Sequence, residues 1–415
     1  MEEQNTSFHQ LLPNLFRLEY TKMTAVIGRH FGLQHIAIAE DIVSETFLIA
    51  MNSWAEKGIP ENPTAWLYTV AKNKLKDYLK HEKIFNDKVS PVLQAASQSE
   101  LPEVEFSPEN INDSVLAMIF AVCSPINPPS SQIALALQIL CGFSITEIAH
   151  AFLSNPETIR KRIQRARKQL REDNFEIKTL EKEALISRLA AVHTTIYLLF
   201  NEGYLSTSEN QVIRQDLCSE AIRLALILTT NNITNTPATN ALLALLCYQS
   251  SRLQARLNAD GELILFDQQD TSLWNQELIT QGHHFIINAC TGNELSKYHL
   301  EAGIAYWHTT IGNKNKWENI LSLYNELLLI DYSPITALNR TFAYAKVYGA
   351  ETSIQEALKL NLSDNYYYHS LLGYLYSENH VQLAISHYQK AKSLTQSPAE
   401  IKAIDKEIQA LKNLL

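Results

Sequence analysis

The sharpest alternation of apolar and polar positions falls in residues 145–171, ITEIAHAFLSNPETIRKRIQRARKQLR. Two groups of apolar residues recur there at helical spacing, one on each side of a break at residues 153–155. Asn155 is suited to cap the second helix, and Pro156 to occupy its first position. The pattern predicts two short helices joined by a tight turn. We expect the buried residues to be Ile145, Ile148, Ala149 and Phe152 in the first helix and Ile159, Ile163, Ala166 and Leu170 in the second.

Further upstream, residues 39–54 (AEDIVSETFLIAMNSW) predict another amphipathic helix. Glu40, Asp41 and Glu45 lie away from its apolar stripe, and we expect them to form an acidic surface patch. Such a patch suits a basic protein partner rather than DNA. The residues expected on the buried face are Ala39, Ile42, Val43, Thr46, Ala50 and Trp54.

Residues 62–83 (NPTAWLYTVAKNKLKDYLKHEK) predict a helix of different chemistry. Five lysines alternate there with Tyr68, Tyr78 and Asn73. Cations, aromatic faces and an amide suit the phosphates and unstacked bases of a single nucleic-acid strand. Trp66 shares an apolar stripe with Leu67, so we expect it in the core rather than against a base.

Composition places these elements in a helical protein of several domains. The chain has 415 residues, which is too long for one compact core. Of these residues 46% are hydrophobic and 19% charged, a composition typical of a folded protein. Glycine (12) and proline (13) are sparse, so we expect an all-α fold. We see no run of about 18 apolar residues that would span a bilayer. The polar start MEEQNTSFHQ is unlike a signal peptide, so we expect a cytoplasmic protein without membrane contact.

Candidate enzymatic chemistry is weak along the whole chain. The five cysteines lie far apart, which favours reduced and mostly buried side chains. His283 and His284 are adjacent but have no further metal ligand at a suitable spacing. We find no nucleophile–base pair and no phosphate-binding loop. We therefore expect no enzymatic activity, no catalytic residue, no metal and no cofactor.

Charge is unevenly distributed along the chain. The net charge is -9, yet residues 155–171 contain seven arginines and lysines. A solvated basic helix is one interpretation, and a DNA-reading helix is the other. The capped turn, together with polar residues near the start of the second helix, favours a DNA-binding helix-turn-helix. The residues expected to reach DNA are Thr158, Arg160, Lys161, Gln164, Arg165 and Lys168.

Residues 84–113 separate the two basic segments. They contain three prolines, six acidic residues and one lysine, and they show no helical or strand period. We predict an acidic flexible linker over residues 84–110, which would allow the two basic modules to be placed independently.

The segments AEDIVSETFLIAMNSW, NPTAWLYTVAKNKLKDYL and ITEIAHAFLSNPETIRKRIQRARKQL, in this order, resemble an extracytoplasmic-function sigma factor of the sigma-70 class. The resemblance implies sigma region 2 over residues 8–83 and sigma region 4 over residues 111–172. It also implies the partners core RNA polymerase and promoter DNA.

The resemblance assigns roles to the candidate residues. It implies that Glu40, Asp41 and Glu45 bind the clamp helices of the polymerase β′ subunit, with the β subunit as a further partner. The six residues expected to reach DNA, all in the second helix of the helix-turn-helix, would read the minus-thirty-five element. The unpaired strand of the minus-ten element would be bound by Lys72, Asn73, Lys76, Tyr78 and Lys80.

The C-terminal segments YLLFNEGYLSTSE and YHLEAGIAYWHT resemble the subgroup of these sigma factors with a fused domain of tetratricopeptide-like repeats. We assign this helical domain to residues 180–415, with degenerate repeats from about residue 296. Ile320, Ile354 and Ala384 recur at spacings of 34 and 30 residues. Irregular helical packing with chance periodicity is the alternative.

Two functions remain open at this point. The first is a sigma factor regulated by its C-terminal domain through an intramolecular contact with the sigma module, that is, with regions 2 and 4 over residues 8–172. The second is a freestanding helix-turn-helix transcriptional regulator with a helical sensor domain. Residues 36–83 favour the first, because a freestanding regulator needs neither an acidic polymerase-docking helix nor a strand-melting helix.

Overall fold

The computed structural model describes residues 2–31, 36–89, 104–152, 154–172, 182–204, 211–256, 264, 268–310, 312–395 and 398–413. Every regular element within these ranges is helical, which confirms the predicted all-α fold. The chain divides into two compact units. The first comprises Met1–Glu202 and Leu226–Thr234, and the second comprises Gly203–Ala225 and Asn235–Leu415.

The first unit begins with three long helices that share one core. They are α1 (Glu2–Phe31), α2 (Ile36–Lys57) and α3 (Pro63–Val89). The six residues predicted to form the apolar face of α2 are all buried. Trp66 packs edge to face on Trp54 at 5.3 Å, so its ring lies against the core as expected, although it is only partly buried. Met23, Ile27 and Leu67 are completely buried beside them.

The segment predicted as a linker is partly helical. Helix α3 continues to Val89, and α4 (Pro108–Val122) begins before the expected boundary. Ser107 caps α4 by accepting a hydrogen bond from the Asn110 amide at 3.3 Å. Phe106, just before this cap, stacks on Tyr68 of α3 at 4.6 Å. Residues 90–103 lie outside the described residues.

The next helical elements after α4 are α5 (Pro129–Leu135), a π-helical turn (Ala136–Leu140), α6 (Ile145–Ala151) and α7 (Pro156–Glu172). The last two correspond to the segment predicted as a helix-turn-helix. In α6, Ser144 and Glu147 form a capping box. Ile148 and Ala149 are buried as predicted, whereas Ile145 and Phe152 keep partial exposure. All four apolar residues predicted for α7 are buried, which confirms its orientation.

One further helix, α8 (Lys182–Tyr204), belongs to the first unit as far as Glu202. Thr195 on α8 donates a hydrogen bond to Oε1 of Gln132 on α5 at 2.6 Å. The thiol of Cys123 lies beside the same Thr195, and burial raises its pKa to about 12. These contacts build α8 into the core formed by α4 and α5.

By length and composition, α8 is apolar enough to cross a membrane, although the sequence analysis found no such segment. A core helix of a folded domain meets the same criterion. One side of α8 is buried in the protein, whereas Ile186 is exposed. The buried apolar positions of α8 are Leu185, Leu189, Val192, Ile196, Leu199 and Phe200.

The second unit is a series of helices in which each helix from α12 to α18 packs on the next. They are α9 (Gln211–Thr229), α10 (Pro237–Ser251), α11 (Gln276–Ala289), α12 (Lys297–Thr309), α13 (Lys316–Ile330), α14 (Pro334–Tyr348), α15 (Ala350–Lys359), α16 (Tyr366–Tyr376), α17 (Val381–Leu394) and α18 (Pro398–Lys412). The last residues of α9 belong to the first unit.

The recurring positions seen in the sequence fall on alternate helices of this series. Ile320, Ile354 and Ala384 are buried on α13, α15 and α17. At Gly373 on α16, an added Cβ would lie 2.9 Å from the ring of Tyr388 on α17. Glycine therefore permits the close approach of these two helices.

All five cysteines are free. Cys123, Cys141, Cys218 and Cys247 are buried, and Cys290 is exposed. This distribution confirms the prediction of reduced and mostly buried thiols.

Candidate nucleic-acid and protein interfaces

Helix α7 is positioned by its caps and by its buried side. Oδ1 of Asn155 accepts a hydrogen bond from the Thr158 amide at 2.8 Å, which confirms the predicted N-cap. Nδ2 of Asn127 donates to the Ala166 carbonyl at 3.3 Å and holds the middle of the helix. The break at Leu153 lies outside the described residues.

The cationic side of α7 faces solvent. Arg160 and Lys161 pair with Glu157 at 2.6 Å and 3.7 Å, in ion pairs whose side chains are more than half exposed. Exposed pairs contribute little to stability, so a phosphate or base edge can take over either cation. All six side chains predicted to reach DNA are exposed, namely Thr158, Arg160, Lys161, Gln164, Arg165 and Lys168.

Two other cations of α7 do not join this surface. Arg162 is half-buried, with its guanidinium 5.4 Å from the ring centre of Phe152. It also lies near Glu202, whose pKa is raised by burial and lowered in part by this guanidinium. Arg167 points towards α2, where it binds Glu40.

Helix α3 presents a second cationic surface. It begins at a cap, because Oδ1 of Asn62 accepts a hydrogen bond from the Ala65 amide at 3.0 Å. Asn73, Lys76 and Lys80 are exposed, and Lys72 is half-buried. These four side chains can contact a nucleic-acid strand without rearrangement of the helix.

Tyr78 occupies a different position from the one expected of a stacking platform. Its ring packs edge to face on Phe31 at 5.6 Å and is partly buried against the core. The end of α1 reaches Tyr78, a tertiary contact that the local pattern of α3 does not specify. One side of the Tyr78 ring is therefore in contact with the protein core.

A buried carboxylate lies beneath α3. The hydroxyl of Tyr68 donates to Oε2 of Glu19 at 2.5 Å, and Nζ of Lys22 binds Oε1 of Glu19 at 2.9 Å. Burial and the Glu19 carboxylate both raise the pKa of Tyr68. The phenol stays protonated and ties α3 to α1.

Helix α2 presents the acidic patch only in part. Asp41 and Glu45 are exposed, and Glu45 pairs with Lys74 at 2.8 Å. Leu48 and Met51 on the same helix are 55% and 43% exposed. The sequence analysis missed these two apolar side chains, because only the packing of α2 determines which apolar residues remain uncovered.

Glu40 differs from the expectation that it is displayed on the surface. Its side chain is only 15% exposed and is bonded to Arg167. The physical reason is the placement of α7 beside the start of α2, which brings a guanidinium within bonding distance.

Comparisons with known proteins identify two parts of the chain. Residues 15–84 match sigma-70 region 2, and residues 188–290 match a family of unknown function, DUF6596. The chain is 33% identical over 348 residues to "Uncharacterized protein R00370" of Rhizobium meliloti (strain 1021). The alignment covers 82% of each chain. No solved structure matches the chain.

Proposed function

We propose that this chain is an RNA polymerase sigma factor of the extracytoplasmic-function type. It belongs to one family with the Rhizobium meliloti protein, and its sigma-70 region 2 domain supports a sigma-factor role in transcription initiation. In this proposal the chain binds core RNA polymerase and selects promoters through two separate DNA contacts. Its C-terminal helical domain regulates that activity.

Helix α7 carries the proposal for the minus-thirty-five element. It is capped, buried on one side, and exposes six side chains able to bond to base edges or phosphates on the other. A recognition helix needs this division because the major groove receives only one face of a helix.

Helix α3 supports the proposal for the minus-ten element. Asn73, Lys76 and Lys80 are exposed on it, and Lys72 is half-buried. Tyr78 contributes less than we expected from the sequence, because its ring packs on Phe31. The contact to an unpaired strand is therefore mainly ionic and amide-mediated.

The polymerase contact is proposed for the exposed part of α2. Asp41 and Glu45 supply negative charge, and Leu48 and Met51 supply adjacent apolar surface. A charged patch guides association, whereas a desolvated apolar anchor contributes affinity.

The experiment that tests the function is run-off transcription on genomic fragments, with the full-length chain and purified core polymerase. The proposal predicts specific start sites that are absent with core polymerase alone. A protein that binds DNA fragments but neither binds core polymerase nor supports transcription would instead be a freestanding helix-turn-helix regulator.

Substitutions on α3 test the minus-ten contact. Asn73→Ala and Lys76→Ala should impair promoter opening more than closed-complex binding, because the unpaired strand exists only after melting. Permanganate footprinting measures opening, and gel shift measures binding. Equal losses in both assays would contradict the assignment.

Two observations support regulation by the C-terminal domain, namely its net negative charge and the packing of α8 on α5. Residues 173–415 hold 18 basic and 25 acidic residues, so they cannot add DNA affinity by neutralising phosphates. Helix α8, which lies at the start of the DUF6596 match, bonds to Gln132 of α5. We propose that the consecutive helices α12 to α18 are tetratricopeptide-like and that this domain controls access of the sigma module to polymerase.

A further inference from the structure

One ion pair joins two helices to which we have assigned different partners. Nη1 and Nη2 of Arg167 on α7 donate to Oε2 and Oε1 of Glu40 on α2, each at 2.7 Å. Nη2 also donates to Oε1 of Gln138 in the π-helical turn at 2.8 Å. Two parallel charge-assisted bonds hold the guanidinium and the carboxylate in one relative orientation.

This pair is shielded from water. The side chains of Arg167 and Glu40 are 16% and 15% exposed, against 37% and 56% for Lys74 and Glu45. Tyr20 of α1 lies beside the pair: burial and the Glu40 carboxylate raise its pKa, and Arg167 lowers it. Removal of either partner would leave the other charge shielded and uncompensated.

The pair is the polar part of a larger contact between α1–α3 and α4–α7. Helix α1 packs on both α2 and α4. Thr21 of α1 donates a hydrogen bond to the carbonyl of Leu140. A Cβ at Gly28 of α1 would lie 3.1 Å from Cε of Met118 on α4, which indicates a close approach of these helices.

The observed contact conflicts with the geometry that promoter recognition requires. Elements centred at minus ten and minus thirty-five are about 25 base pairs apart, or about 85 Å along B-DNA at 3.4 Å per base pair. In this structure α7, which we propose for the minus-thirty-five element, contacts the group α1–α3. That group includes α3, the helix we propose for the minus-ten element. The module must therefore open before both elements can be bound together.

We propose that the Glu40–Arg167 pair is an intramolecular latch that keeps the sigma module closed until core polymerase binds α2 and displaces Arg167. This inference rests on the proposed function. The latch withholds Glu40 from polymerase, and it prevents α3 and α7 from reaching their separate DNA elements. The apparent affinity for polymerase equals the intrinsic affinity multiplied by the fraction of open molecules.

Distance measurements between spin labels on the full-length chain test the latch directly. Cys290→Ser removes the exposed native thiol, and labels are placed at Asn52→Cys on α2 and Gln169→Cys on α7, both exposed positions. We expect one short distance in the free protein. Arg167→Met should add a long-distance population about ten-fold larger than any in the parent.

Two further variants separate opening from unfolding. Arg167→Lys keeps the charge but cannot make the two parallel bonds, so it should open the module to an intermediate extent. Glu40→Arg combined with Arg167→Glu should restore the short distance, because the charges are exchanged and the Gln138 amide can rotate to donate. Lys74→Met breaks the exposed ion pair between α3 and α2 and should leave the distance between the spin labels unchanged.

The latch is refuted if Arg167→Met and Arg167→Lys both keep the short distance while circular dichroism shows them folded. It is also refuted if the double exchange opens as far as Arg167→Met. Core polymerase added to the parent should produce the long distance, and Arg167→Met should bind polymerase about ten-fold more tightly. Failure of the parent to bind polymerase would refute the proposed function instead, since the distances in the free protein do not depend on it.

Discussion

At the scale of single residues, orientation decides what a cation on α7 does. Arg165 and Arg167 are two positions apart, which places them about 200° apart around the helix. Arg165 is exposed, while Arg167 is bonded to Glu40. Equal residue types on one helix therefore contribute to a solvent-exposed surface, which we propose faces DNA, and to an internal contact. The same holds on α2, where Asp41 is exposed and its neighbour Glu40 is not.

The first prediction concerns the acidic patch. Asp41→Arg with Glu45→Arg should weaken binding of the full-length chain to core polymerase by about ten-fold or more, because attraction becomes repulsion. Fluorescence anisotropy with labelled core polymerase measures the affinity. Glu109→Arg with Asp113→Arg on α4 is the matched control, since it reverses two exposed acids at the same spacing. Equal affinities for both double variants would contradict the docking assignment.

The second prediction concerns base recognition by α7. Gln164→Ala or Lys161→Ala should cost about 1–3 kcal/mol of binding free energy at the preferred promoter and should relax the preference at one position. Arg171→Ala, on the last turn, should weaken all sequences alike, because a phosphate contact carries no sequence information. Transcription from a library of minus-thirty-five variants distinguishes the two patterns. Uniform loss for Gln164→Ala would refute direct base reading by that side chain.

At the scale of elements, α8 belongs both to a family match and to the first compact unit. It begins the DUF6596 match, yet it packs in the first unit beside α4 and α5. His193 on α8 is buried, and burial lowers its pKa to about 4. A helix that must keep a histidine neutral has an acid-sensitive position within the fold.

The third prediction follows from His193. Above pH 6.5 the imidazole is neutral in both the folded and the unfolded chain, so it contributes no pH dependence. As pH falls from 6.5 towards 4, the unfolded chain binds the proton first. The free energy of unfolding of this part should therefore fall by about 3 kcal/mol. Hydrogen exchange of the α8 amides at pH 7 and pH 5 measures the loss, of which about 2 kcal/mol is expected by pH 5.

Variants check the cause of this loss. His193→Gln should make the protection of α8 less dependent on pH, because no imidazole remains to be protonated. His150→Gln, at an exposed position on α6, should leave the pH dependence unchanged. If the protection of α8 in His193→Gln depended on pH as strongly as in the parent, another group would be responsible for the acid sensitivity.

At the scale of the whole molecule, the compact units do not follow the functional segments. The first unit contains the sigma-70 region 2 match, the predicted helix-turn-helix (α6 and α7), α8 to Glu202, and the separate stretch Leu226–Thr234. The chain thus enters and leaves this unit more than once. Removal of C-terminal residues therefore affects the first unit differently according to where the chain is cut.

The fourth prediction compares two truncations. A chain ending at Glu172 lacks α8, so Cys123 and Gln132 lose their contacts with Thr195. It should lose transcription strongly through instability of the helix-turn-helix. A chain ending at Thr234 keeps every segment of the first unit and should bind core polymerase, which leaves regulation by the missing helices to be read from transcription. Full-length activity from the shorter chain would refute both the structural role of α8 and the proposed regulation.

The sequence by itself determined the elements and the sides they bury. The all-α class, the apolar stripes of α2 and α7, the Asn155 cap and the exposed candidate residues of α7 all follow from local periodicity and capping chemistry. These features need only information within one or two turns of a helix. The roles assigned to those residues remain predictions.

Only the tertiary structure decided which surfaces stay open. The sequence placed Glu40 with Asp41 on an acidic patch and Tyr78 with the nucleic-acid residues of α3. The fold instead bonds Glu40 to Arg167, 127 residues away, and packs Tyr78 on Phe31. Helical periodicity gives the direction of a side chain around the axis of its own helix. It contains no information about which other helix packs against that side chain. A long-range contact such as Glu40–Arg167 exists only once α2 and α7 have been brought together.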